Sequence, residues 1–369
     1  MTRRFGRRTV AVLLAALLVP PLAGCSIGDV RRPPPDRTAP SPRPSATGPT
    51  PSPPAADVEL REVRVPVGKG YDHPYVEFVT AEQAYALFST CPARSARDCP
   101  AVLYATIDGG RSWQRLVHPL PVAENPQLYA APGALVLLAE PHDWYTSTDG
   151  GRTFAHSTGE QEPVAWRTVQ GRFQIDEATG RVVRWAGRRA TPLPAQPPVR
   201  TLHGVVEARG LLVVAGVDGG KPYAAVSTDR GRTWQPTPVP APDGEVGVLR
   251  PMVGPDGEAR LVGWPPDRTG FPALWRYLGR WVPVPAAGHP LRADSVVPLT
   301  TGRFAVNGPD GAGVVADGRY GPLDWPVAPE HHLTLLADGT LVGRAPDEVL
   351  LATGPVGNRR WVRVVLAPA

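Results

Sequence analysis

Few residues of this 369-residue chain have types and spacings that could do chemistry. Cys25 ends an apolar run, while Cys91 and Cys99 flank a short Pro/Arg/Ser stretch. The latter pair lacks the Cys-x-x-Cys spacing of a dithiol redox site, so a structural disulfide is expected in preference to redox catalysis. Closing so small a loop contributes roughly 2.5 kcal/mol on the chain-entropy model. His331 and His332 are adjacent. At a strand start their side chains would point apart, which suits a solvated pair better than a metal site. Asp108 and Asp149 each precede Gly-Gly. One carboxylate per turn falls short of the roughly six to eight oxygens that calcium takes. No metal and no cofactor is expected. His142-Asp143-Trp144 and Asp72-His73-Pro74 read as loop tips rather than acid–base pairs. The chain contains no Gly-x-Ser-x-Gly, no His-Glu-x-x-His and no Gly-rich phosphate loop opening a helix. Local motifs therefore assign no catalytic residue.

The elements that would position these residues begin after an export signal. Arg3, Arg4, Arg7 and Arg8 form a positive segment, and Val10 to Val19 contains only Ala, Val and Leu. That run is too short to span a bilayer and has the length of a signal-peptide core. It ends at Leu22-Ala23-Gly24-Cys25, which resembles the lipobox of bacterial lipoproteins. The resemblance implies that residues 1–24 are removed and that Cys25 carries a thioether-linked lipid. Several acyl chains make a stable anchor, at about 0.8 kcal/mol per buried CH₂. Export by the general or the twin-arginine route is left open. Residues 25–56 then form a lipid-anchored linker, rich in Pro, Ser, Thr, Ala and Arg. Such a segment cannot bury a core and extends toward polyproline II. An oxidising exterior fits the pairing of Cys91 with Cys99.

The formal charge of +5 belongs to the ends rather than to the domain. The four arginines of the signal account for four of those charges, and residues 26–56 carry a further +2. The domain from Asp57 onward is left near −1, which gives no reason to expect nucleic acid as a partner.

Residues 57–369 carry a repeat. Thr106-Ile107-Asp108-Gly109-Gly110-Arg111-Ser112-Trp113, Ser147-Thr148-Asp149-Gly150-Gly151-Arg152-Thr153-Phe154 and Ser227-Thr228-Asp229-Arg230-Gly231-Arg232-Thr233-Trp234 follow one pattern. The three strings resemble the Asp box, or BNR repeat, of bacterial sialidases and related propellers. The residue types suit a tight turn. Asp108, Asp149 and Asp229 can accept N–H groups two residues on. Gly110, Gly151 and Gly231 can take positive φ. Trp113, Phe154 and Trp234 start the next strand and bury apolar surface between sheets.

Asp108 and Asp149 are 41 residues apart, and Asp149 and Asp229 are 80 apart. A degenerate turn, Trp185-Ala186-Gly187-Arg188, fills the gap. Leu278-Gly279-Arg280-Trp281, Asp317-Gly318-Arg319-Tyr320 and Gly357-Asn358-Arg359-Arg360-Trp361 continue the series. Seven turns at intervals of about 40 residues predict an all-β chain. The expected fold is a single β-propeller with seven blades of four-stranded antiparallel sheet, or six if one degenerate turn is a long loop. Asp57–Pro66 is expected to add a strand where the ring closes.

The Asp-box resemblance is to a scaffold, and site chemistry is a separate question. A sialidase needs an arginine triad, a Tyr activated by Glu, and an Asp acid/base. Its opening motif, an aromatic or Tyr before Arg-Ile-Pro, is echoed only loosely by Arg64-Val65-Pro66. The expectation is a membrane-tethered extracellular binding or assembly module for a protein or glycan. It would be monomeric, held at the outer face of the cell membrane, with Trp144 and Trp264 as candidates for a rim. The alternative is an exo-glycosidase of the sialidase type.

Overall fold

The computed structural model describes residues 58–91, 99–158, 162–186 and 189–369. The signal, Cys25, the linker and the Gly187-Arg188 turn lie outside them. The central strands are near-continuous apolar runs, such as Leu211–Asp218 (LLVVAGVD) and Ala84–Ser89 (AYALFS). Runs of that kind are buried on both faces. Shorter polar strands, such as Gln114–Leu116 and Ala155–Ser157, form the outer edges.

Seven antiparallel sheets follow one another along the chain and form a seven-bladed β-propeller. Their first strands are Tyr75–Phe78, Asn125–Ala131, Phe173–Asp176, Thr201–Ala208, Val248–Val253, Ser295–Pro298 and His332–Leu335. The first strands of blades 1 and 2, of blades 4 and 5, and of blades 6 and 7 neighbour one another, as innermost strands do. Blade 3 forms three strands, and a short helix, Val164–Val169, precedes it where other blades have their innermost strand.

The strand expected at the closure is Val58–Val65. It runs parallel to the last strand of blade 7, Arg360–Pro368, with Val58 opposite Trp361 and Val65 opposite Pro368. Glu59 on this strand accepts hydrogen bonds from Arg61 (2.8 Å) and Arg360 (2.7 Å), and Arg111 of blade 1 lies 3.4 Å away. The bonds from Arg61 and Arg360 hold its carboxyl at about 2. One acid thus joins the two described ends of the domain to the first blade.

Apolar clusters fill the seams between blades. Phe78, Phe88 and Tyr104 of blade 1 meet Val342, Leu351 and Val364 of blade 7. Leu249, Leu261 and Trp275 of blade 5 meet Val213, Ala215 and Val226 of blade 4. Between blades 6 and 7, the buried Asn307 donates to the carbonyls of Ala328 (2.9 Å) and His331 (2.7 Å). The seam between blades 2 and 3 is built differently. There Trp166 of the short helix is buried against Tyr129, with ring centroids 5.6 Å apart, and Tyr129 reaches Trp144 at 6.1 Å. Trp166→Ala is therefore expected to destabilise the domain by roughly 3 kcal/mol or more. Urea unfolding measures this, and a loss below about 1 kcal/mol would show that the seam is held by something else.

Candidate functional site

The three Asp boxes fold identically. In the second, the Ser147 hydroxyl donates to Asp149 Oδ1 (2.7 Å) and accepts the Gly151 N–H (2.8 Å). Asp149 Oδ1 also accepts the N–H groups of Arg152 and Thr153, both at 3.0 Å, and Oδ2 accepts the Thr153 hydroxyl at 2.6 Å. Asp108 with Thr106 and Ser112, and Asp229 with Ser227 and Thr233, repeat the network. The acid takes N–H groups three and four residues on, not two as the sequence suggested. The intervening glycine N–H goes to the Ser/Thr hydroxyl instead.

The box glycine has a second duty that sequence reasoning missed. Gly151 has φ +88°, and a Cβ there would lie 2.6 Å from Leu116 of blade 1. Gly110 (φ +86°) presses likewise on Val364 of blade 7, and Gly231 (φ +81°) on Leu193 beside blade 3. Each box is thus a contact with the preceding blade. The aromatic that follows works in the same direction. Trp234 Nε1 donates to Ala195 O (3.0 Å), and in the degenerate fifth blade Trp281 Nε1 donates to Thr237 Oγ1 (3.0 Å).

Other turns at this end of the ring are laced together. Arg209 of blade 4 donates to Asp256 O of blade 5 (2.8 Å), and Asp256 Oδ2 accepts the Thr301 N–H of blade 6 (2.9 Å). Asp338 of blade 7 accepts the Ala81 N–H of blade 1 (2.9 Å).

Antiparallel alternation sends the remaining connections to the opposite end. Those from one blade to the next at this end are 66–74, 117–124, 193–200, 239–247, 284–294 and 323–331, whereas the segment before Phe173 runs through the helix to the box end, where Arg172 pairs with Glu207 (2.7 Å). Each contains at least one proline, which fixes φ and stiffens the loop. Cys91 and Cys99 form their disulfide at this long-loop face, and Cys99 pairs with Ala123 of the adjoining connection. His118 of that connection accepts the Leu120 N–H (3.1 Å), and burial lowers its pKa to about 4. It is neutral at physiological pH.

The other candidates are placed as follows. His331, expected to be solvated, is buried. Its Nδ1 accepts the Ala328 N–H (3.0 Å) and its Nε2 faces Glu348 (3.0 Å), so the loop 323–331 needs it as a brace. His142 is exposed and Asp143 adopts φ +68°, as suits a loop tip. Trp144 is half-buried against Tyr129, and Trp264 packs between blades 5 and 6.

One constellation was missed. The Tyr75 hydroxyl hydrogen-bonds Glu77 on the innermost strand of blade 1. Arg344 of blade 7 grips both Glu77 oxygens (3.1 and 2.8 Å) and donates to Tyr75 (3.2 Å). Glu77 is buried and Arg344 nearly so. The Tyr-x-Glu spacing, with both side chains on one strand face, is the signal that could have found it.

No protein-family model and no curated protein matches the chain. Among solved structures, it is similar to YCF48 bound to D1 peptide, at 13% identity over 82% of this chain and 87% of that one, with a TM-score of 0.32. It is similar to YCF48 from Cyanidioschyzon merolae at 11% identity over 76% and 95%, with a TM-score of 0.42. The GH74 xyloglucanase from Xanthomonas campestris shares 16% identity over 79% of this chain and 47% of its own, with a TM-score of 0.30. Likeness this distant carries no ligand or activity with it.

Two outcomes follow from the boxes. Gly151→Ala is expected to cost roughly 1–3 kcal/mol beyond Gly133→Ala, whose φ of +86° is equivalent but whose Cβ would meet open space. Equal costs by chemical denaturation would contradict the contact with blade 1. Acid should weaken the fold in two windows. His118, with its pKa lowered, contributes stability above its ordinary value of 6.5 that is lost as pH falls toward about 4. For Asp108 burial opposes ionisation, but bonds from Ser112, Thr106 and Arg111 prevail and hold it at about 2. Its contribution is present above 3.8 and lost as pH falls toward 2. Asp149 and Asp229 are lowered too, chiefly by the Thr153 and Thr233 hydroxyls. Melting temperatures that stay flat from pH 7 to pH 2 would contradict both assignments.

Proposed function

We propose that the chain is a cell-surface lipoprotein, anchored through Cys25, whose propeller binds a protein or glycan partner on its long-loop face. The observation that carries this reading is the division of labour between the two ends of the ring. At one end Asp-box and inner turns are tied to their neighbours across the seams. At the other end, connections of 8 to 11 residues, stiffened by proline and flanked by a disulfide, stand on that frame. Loops on a rigid scaffold are where recognition residues concentrate. A linker at 25–56 would, at about 3.1 Å per residue when extended, let the ring stand tens of ångströms from the membrane.

A second reading, an exo-glycosidase of the sialidase type, draws on the Tyr75–Glu77 hydrogen bond. There Tyr75 would attack the anomeric carbon as the bond to the aglycone breaks and water supplies the aglycone's proton, while Glu77 takes the tyrosine proton. Against it, Arg344 holds Glu77 in a buried two-point ion pair, which suits a strut between blades 7 and 1 better than a base.

Fluorogenic glycosides, sialosides included, separate the two readings. The binding reading expects no turnover by the full chain. Turnover that disappears in Tyr75→Phe would replace it with the glycosidase. Cys25→Ala is expected to release the protein into the medium, and continued retention in the membrane fraction would overturn the anchor.

A further inference from the structure

We infer that Arg250 and His203, on the innermost strands of blades 5 and 4, form a binding site for a carboxylate group at the long-loop end. The site rests on the binding reading for its use and gives that reading a ligand class.

Arg250 is the third residue of Val248–Val253, the innermost strand of blade 5, counted from the long-loop end. His203 occupies the equivalent place on Thr201–Ala208 of blade 4. The ladder of that strand shifts register between Leu202 and Gly204, which leaves His203 as a bulged residue. Bulges re-aim a side chain, and here the aim is across the seam. His203 Nδ1 accepts the Leu249 N–H at 3.0 Å, directly beside Arg250. With Nδ1 accepting, the neutral ring carries its proton on Nε2 as a free donor. The strands cannot drift apart or together there. A Cβ on Gly204 would lie 2.6 Å from Pro251 Cδ, so only glycine allows the approach.

Arg250 has no hydrogen bond and no ion pair among the described residues. Several arginines elsewhere in the ring are matched, among them Arg344 with Glu77, Arg260 with Asp256, Arg61 with Glu59, and Arg292 with Asp294. The Arg250 side chain is open to solvent, yet surrounding protein desolvates it and lowers its pKa, with Arg268 of the connection 265–272 adding like charge. Desolvation, then the charge of Arg250, lowers His203 as well. Among the described residues, neither side chain forms an ion pair with an acid. The result is an unneutralised positive centre with a planar two-pronged donor and one further N–H beside it. A guanidinium fork matches a carboxylate in two parallel hydrogen bonds, and the His203 Nε2–H supplies a third to the same group. A bound carboxylate supplies the counter-charge that the fold leaves out.

The test uses the full chain with isotope-labelled histidine, the His203 ring signals being assigned by their loss in His203→Gln. At fixed pH and ionic strength, sodium acetate replaces sodium chloride. The expected result is a saturable shift of the His203 signals with acetate and none with acetamide, its neutral analogue. Arg250→Met should abolish saturation, and Arg250→Lys should keep it with several-fold weaker affinity, because the fork is gone but the charge is not. Absence of an acetate-dependent shift, or an identical shift in Arg250→Met, would overturn the site. Either result would leave the wider binding reading standing, since that reading is tested separately by glycoside turnover and by amide exchange.

Discussion

The structure depends on how a carboxylate, a hydroxyl and a glycine close one turn against the neighbouring blade. A propeller has no core of its own kind. Each sheet is stable only because its faces are covered by the sheets on either side. The Asp box solves the turn and the neighbour at once. The acid gathers two N–H groups and two hydroxyls, so the turn satisfies itself, and the positive-φ glycine leaves the backbone bare where it meets Leu116, Val364 or Leu193. Any larger residue would push the blades apart. The aromatic three residues later then fills the space that remains.

Closure follows the same logic at larger scale. Val58–Val65 lies outside the last strand of blade 7 and parallel to it, and its Glu59 collects arginines from its own strand, from the last strand and from the first Asp box. With one end of the ring so fastened, the other is free to vary. Long connections, the disulfide, the His118 and His331 braces and the Arg250–His203 pair all sit there.

Much of the frame was legible in the sequence because repeats encode local chemistry. The three boxes, their spacing near 40 residues and their aromatics give seven blades, and the strand at 57–66 was readable as a closing element. What was not legible depends on partners distant in sequence. Nothing local says that Gly151 touches Leu116, or that His331 is buried rather than solvated. The helix Val164–Val169 breaks the blade pattern without any helical period long enough to detect. Tyr75 and Glu77 are two residues apart, but their shared partner, Arg344, is 267 residues beyond Glu77. The Arg250–His203 pair is invisible for the same reason: it exists only because two innermost strands lie side by side and one of them bulges.

The central claim is that one end of the ring is a fastened frame and the other a platform of loops. Amide hydrogen exchange on the full chain tests it most directly. The account predicts that the N–H groups of Gly110, Gly151 and Gly231, and of the two residues after each, exchange as slowly as those of Leu211–Asp218. The connections 239–247 and 284–294 should exchange far sooner. Box amides that exchange as fast as those connections would contradict the frame, and with it the assignment of the opposite face to binding.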